Sequence, residues 1–233
     1  DGDADERPVR RVRMSPFCID RTEVTVRQFR ARLAALRASA TTREVVYPGG
    51  VRVRVTAPSD PSTDALCNWS DAPADHEDHP INCVDWRPAQ IHCAARGLRL
   101  ATETEWEYAA RGQDGRRFPW GDDAPNETRA CWSGPTGREG TCATGSRIDG
   151  ASPSGALDMA GNVWEWTADA YAPTYARPDA VVSRDGAARV VRGGSWADVL
   201  AADLRGADRG RFVPETRRTD VGFRCVRAPL TGR

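Results

Sequence analysis

The chain has 233 residues, with 33 basic and 33 acidic side chains and a formal net charge of zero. That balance argues against an electrostatic nucleic-acid or membrane-surface binder, since both need a strongly one-signed face. No apolar run approaches the roughly 20 residues that span a bilayer, and the length suits one large domain or two small ones.

Residues 1–8 are acidic and polar and are expected to be a flexible segment, with 9–233 forming a single domain. Val9 to Ile19 has a strand-like mix with Pro16 near its end. Thr25 can cap a helix from Val26 to about Ala38, in which Phe29, Leu33 and Leu36 are spaced for one apolar face. Arg43 to Thr56 reads as a hairpin turning at Pro48-Gly49-Gly50, with Val51, Val53 and Val55 alternating with arginine. Residues 57–80 are rich in Pro, Asp and Ser and read as loop. Asp85 can cap a helix from Trp86 to Arg96, with Gly97 just beyond its end. Thr102 and Glu105 form a capping box for another helix ending near Gly112. Turns then dominate, and only Val190-Val191-Arg192 and Gly222 to Val226 read as strands.

The seven cysteines form no CxxC pair, which argues against a structural zinc site. Scattered as they are, they fit disulfides and an oxidising compartment: secreted, periplasmic or cell-surface. A bridge between Cys67 and Cys83 would staple the 57–80 loop, worth about 3 kcal/mol in the chain-entropy model. An odd count leaves at least one cysteine outside any intrachain pairing.

The stretch from Gly155 to Trp166 draws most attention, because Glu165 stands between Trp164 and Trp166. A carboxylate among buried aromatics must be paired, hydrogen-bonded or bound to a cation. Two readings follow. Asp158, Glu165 and turn carbonyls can offer a hard cation such as Ca²⁺ its oxygen ligands, or Glu165 is a buried carboxylate satisfied by backbone donors or by a nearby arginine.

Gly161-Asn162-Val163-Trp164-Glu165-Trp166 resembles the central motif of the formylglycine-generating enzyme (sulfatase-modifying factor) family. Further matches follow in order: Phe17 to Thr25, Leu98 to Gly112, Phe118-Pro119-Trp120-Gly121, Arg192-Gly193-Gly194-Ser195-Trp196, and Gly222-Phe223-Arg224-Cys225. The resemblance implies an α+β, C-type-lectin-like fold with two helices, a small twisted antiparallel sheet and much loop-built core. It implies a calcium site from Asp158 and Glu165 with the carbonyls of Gly161 and Val163. A second family calcium site needs an asparagine where Ala130 stands, so that site is expected to be lost; Cys131 and Cys142 can close the same loop covalently. Cys93 and Cys225 match a disulfide found in relatives. Cys18 is then the odd thiol, expected to be a small buried hydrophobe.

Family members that make formylglycine oxidise a cysteine within a Cys-Xaa-Pro-Xaa-Arg substrate motif, with copper held by two cysteines shortly after the Gly-Gly-Ser motif. Copper(I) is soft and needs such thiolates. Here no cysteine occurs between Cys142 and Cys225, so no copper is expected. Iron-dependent relatives take three histidines from an additional helical domain. This chain has His76 and His79 in an acidic loop and His92 on a predicted helix, where packing is its expected role. The expected function is a non-catalytic binding or accessory module, calcium-stabilised, with a groove lined by Trp164, Ser195, Trp196 and Asp198. Its ligand would be a protein, a peptide or a small molecule. The alternatives are a metal-dependent oxidoreductase with non-copper chemistry and a hypervariable ligand-binding display protein.

Overall fold

A computed structural model describes residues 2–9, 11–39, 42–46, 52–174 and 187–229. Three α-helices are described, one more than the two implied by the resemblance: α1 Val26–Ala38, α2 Trp86–Ala95 and α3 Glu103–Arg111. Thr25 and Thr102 each close a capping box, with Gln28 and Glu105 respectively, which satisfies two otherwise orphaned amides per helix start. Asp85 makes no capping bond; its carboxylate instead accepts from Arg217 Nε at 3.1 Å. A charged donor outcompetes a neutral amide for an accessible carboxylate.

Among the described residues, nine short strands form three sheets, in the orders β1-β9-β4, β2-β3 and β7-β6-β5-β8. The first sheet joins β1 (Cys18–Ile19) and β4 (Arg99–Leu100) to β9 (Cys225–Arg227). The hairpin pairs β2 (Arg43–Val46) with β3 (Arg52–Val55), while its expected Pro48-Gly49-Gly50 turn lies outside the described residues. The third sheet runs from β7 (Gly210–Phe212) through β6 (Arg189–Arg192) and β5 (Trp164–Ala170) to β8 (Val221–Gly222), the last pairing parallel. The long strand expected over Val9–Ile19 is reduced to β1, and that expected over Gly222–Val226 is split between β8 and β9. At the split, Arg224 turns inward to pair with Glu165.

The main core packs Phe29 and Leu33 of α1 and Trp86 and Cys93 of α2 against Trp164, Trp166, Val191 and Phe223. A second cluster sets Trp106, Ala109 and Ala110 of α3 against Met159 and Val226. The 155–163 loop thus lies beside α3, and α3 is what closes the site over β5. Three disulfides, Cys67–Cys83, Cys93–Cys225 and Cys131–Cys142, match the expected scheme. Cys18 is free, but it is exposed rather than buried: it sits on edge strand β1 opposite Arg227. The segment expected to be flexible forms a 3-10 turn at Ala4–Glu6, tied down by Arg205 Nη2 to Glu6 Oε1 at 2.8 Å and Tyr171 Oη to Asp5 Oδ2 at 2.8 Å.

Candidate functional site

Strand alternation organises the centre. Along β5, Trp164 and Trp166 point into the main core, and Glu165 points the other way, towards α3. Its carboxylate is fully buried. Arg224 grips it in bidentate fashion, Nη2 to Oε1 at 2.6 Å and Nε to Oε2 at 2.7 Å. The Trp106 indole adds a third donor to Oε2 at 2.8 Å. Arg224 also donates to the carbonyls of Asp20, Arg21 and Leu157, so all of its forks are used. Burial lowers the affinity of this guanidinium for its proton, but the Glu165 charge more than compensates, so its pKa is raised further and it stays a cation.

The remaining acids of the centre are less well matched. Asn162 Nδ2 donates to Glu23 Oε1 at 3.0 Å, but the buried Glu23 Oε2 meets no donor. Asp158 Oδ2 accepts the Gly145 amide at 2.5 Å. Burial, followed by the Asp158 charge, pushes the Glu23 carboxyl well above the usual carboxylate range; burial pushes Asp158 up as well. Three buried carboxylates, Glu23, Asp158 and Glu165, therefore share one buried guanidinium.

The loop geometry is costly and specific. Asp158 and Asn162 hold positive φ values of 56° and 61°, a region that side chains other than glycine seldom adopt. Gly161, at φ 83°, runs so close to the chain that a Cβ would lie 2.5 Å from the Cys131 carbonyl oxygen. The carbonyls of Gly161 and Val163 accept no backbone hydrogen bond described here. Of the expected calcium ligands, then, Asp158 and the two carbonyls retain acceptor capacity beside Glu23, whose raised pKa favours its protonated form. Glu165 already has three donors on its two oxygens and is the least available of the four.

Of the four residues expected to line a groove, three are buried: Ser195 at 0%, Trp196 at 8% and Trp164 at 9% exposure. Trp164 belongs to the main core, whereas Trp196 packs in a separate cluster. Trp196 packs on the Cys131–Cys142 disulfide and donates to the Thr219 carbonyl at 3.0 Å. Asp198 Oδ2 accepts from both the amide and the hydroxyl of Ser195, at 2.7 and 3.0 Å. Just beyond, Val199 and Leu200 stand out at 60% and 61% exposure.

His92 stacks on Phe29 with ring centroids 5.4 Å apart, and burial drives its pKa down to about 3, as befits a packing residue. The acidic loop of His76 and His79 folds over the start of α1, where the Val26 amide donates to the His79 carbonyl at 3.0 Å and Arg30 pairs with Glu77 at 2.9 Å. Sequence reasoning allowed a nearby arginine as the partner of Glu165 but named neither Arg224 nor Trp106, although both lie inside motifs it had singled out.

Residues 1–229 match the sulfatase-modifying factor enzyme 1-like domain. The chain belongs to that family. It is 34% identical to the formylglycine-generating enzyme of Streptomyces coelicolor, over 95% of this chain and 81% of that protein. It is 32% identical to the protein named inactive C-alpha-formylglycine-generating enzyme 2 of Bos taurus, over 97% of this chain and 82% of the relative. The structure of PvdO from Pseudomonas aeruginosa superposes with a TM-score of 0.71 at 26% identity, covering 97% of this chain and 86% of that one. Relatives within this family thus include a protein named as an enzyme and one named as inactive. The three disulfides are compatible with an oxidising location, and no described helix is long and apolar enough to cross a membrane.

Proposed function

We propose that this chain is a non-catalytic member of the family, a calcium-stabilised binding or accessory module of a secreted, periplasmic or cell-surface setting. The observation that carries this reading is the segment after Ser195. It contains no thiol up to Cys225, and its Asp198 is committed to holding the Ser195 turn. A hard carboxylate with that commitment is a poor ligand for a soft ion such as copper(I). The same segment exposes Val199 and Leu200 side by side, a small apolar ridge suited to a protein or peptide partner.

Calcium belongs to this proposal through charge. Three buried carboxylates face one guanidinium, and Glu23 Oε2 has no donor. Burial favours the protonated forms of Glu23 and Asp158, and a divalent cation near Asp158 and the carbonyls of Gly161 and Val163 would take the place of those protons, with the ligand type it prefers. Titration of copper(I) against a chromophoric chelator tests the functional reading. The expected result is no tight one-to-one copper(I) complex in the disulfide-intact chain, and a stoichiometric complex would contradict it.

A further inference from the structure

A cavity of about 760 Å³ lies between the N-terminal segment and the outer face of α3, away from the Glu165 centre. Charge on its walls is unequal. Arg7, Arg111, Arg117 and Arg205 line it, against Glu6, Glu107 and Asp122. Each of the three acids is already engaged. Arg205 holds Glu6 at 2.8 Å, Arg111 and Arg192 both hold Glu107 at 2.5 Å, and Asp122 Oδ1 accepts the Arg117 backbone amide at 3.1 Å. Among the described residues, no carboxylate pairs with the guanidinium of Arg7 or of Arg117; Arg117 lies only over the Phe118 ring, at 5.3 Å.

Thr104 and Gln113 add neutral polar groups to the wall, and an apolar and aromatic patch completes it. Val9 and Val12 are 96% and 45% exposed, Met14 joins them, and Tyr108 on α3 shows 41% of its surface. Unpaired cations beside an apolar patch inside a concavity supply the two elements a small-molecule site combines: apolar contact and orienting polar groups. We propose that this cavity binds an organic anion with an apolar body, its charged group met by Arg7 and Arg117 and its body lying against Tyr108, Val9 and Val12. A guanidinium suits a carboxylate, sulfonate or phosphate head, which it can engage through two parallel N–H donors. The Glu6–Arg205 ion pair holds the N-terminal wall in place, so the site exists only while that segment is docked.

The probes are 8-anilinonaphthalene-1-sulfonate and its uncharged counterpart N-phenyl-1-naphthylamine, titrated by fluorescence into the full chain. The sulfonate should bind at a single site, more tightly than the neutral dye. The pair Arg7→Gln and Arg117→Gln should weaken sulfonate binding by about tenfold or more, the loss of one charge-assisted contact or two, and leave the neutral dye unaffected. Tyr108→Ala should weaken both dyes. Arg7 and Arg117 are exposed, so these variants should keep the parent melting temperature, which verifies the fold. Absence of sulfonate binding, equal affinity for the two dyes, or a sulfonate affinity unchanged by the arginine substitutions would overturn the proposal.

Discussion

Arg224 and Glu165 form a fully buried, bidentate ion pair that joins the turn after β8 to the start of β5. Removing one partner of such a pair leaves a bare buried charge and typically costs about 3–5 kcal/mol. Glu165→Gln and Arg224→Met should each destabilise by about that amount, and the double variant by clearly less than the sum, because the two defects are the same defect. Guanidinium unfolding of the disulfide-intact proteins measures this. Additive losses would mean that the pair is not coupled.

The loop resemblance and the geometry together predict a calcium response. Binding only to the folded state raises stability by about 2.7 kcal/mol at a hundredfold excess over Kd. Calcium should therefore raise the melting temperature over EDTA, and Asp158→Asn should reduce the increment. An identical melting temperature in calcium and EDTA would show that a proton, rather than a cation, offsets the Glu23 and Asp158 charges.

Much of this was legible in the sequence. The Thr25 cap with the 26–38 periodicity located α1, and the Thr102–Glu105 capping box located α3, since both rest on local chemistry. The cysteine pairs were legible through loop placement and family resemblance. Strand β5 was not. Trp164 to Thr167 are buried on both faces, so the polar–apolar alternation that announces a strand is missing, and Glu165 reads as a break in it. The partner of Glu165 was also hidden. Burial implied a counter-charge, but a guanidinium 59 residues away and a metal ion satisfy that requirement equally well until the topology brings one of them there. The ridge at Val199 and Leu200 shows up only once exposure is known.

Cys93–Cys225 closes a loop of 132 residues between α2 and β9. In the chain-entropy model its removal by a Cys93→Ala and Cys225→Ala pair costs about 4–5 kcal/mol. In the native protein only Cys18 should react with iodoacetamide, since it is exposed and unpaired. Peptide mapping of the alkylated, unreduced chain checks this, and labelling at any of the other six cysteines would contradict the pairing.

Stability should fall as pH rises from about 4 to about 8. Asp169 is raised to about 6 and Asp208 to about 7, in each case chiefly by burial. A carboxyl with a raised folded pKa binds more protons folded than unfolded. It therefore favours the folded state at low pH and loses that contribution as pH climbs through the folded value. Glu23 and Asp158 shift in the same direction. Asp208→Asn should flatten the pH 5–8 part of the melting-temperature profile, and an unaltered profile would contradict the assignment.

Incubating the disulfide-intact chain with copper(I), dioxygen and a Cys-Xaa-Pro-Xaa-Arg peptide, then scoring the peptide cysteine by mass spectrometry, tests the non-catalytic reading most directly. The account predicts no conversion of the cysteine to formylglycine above the metal-free control. Copper-dependent turnover would contradict it.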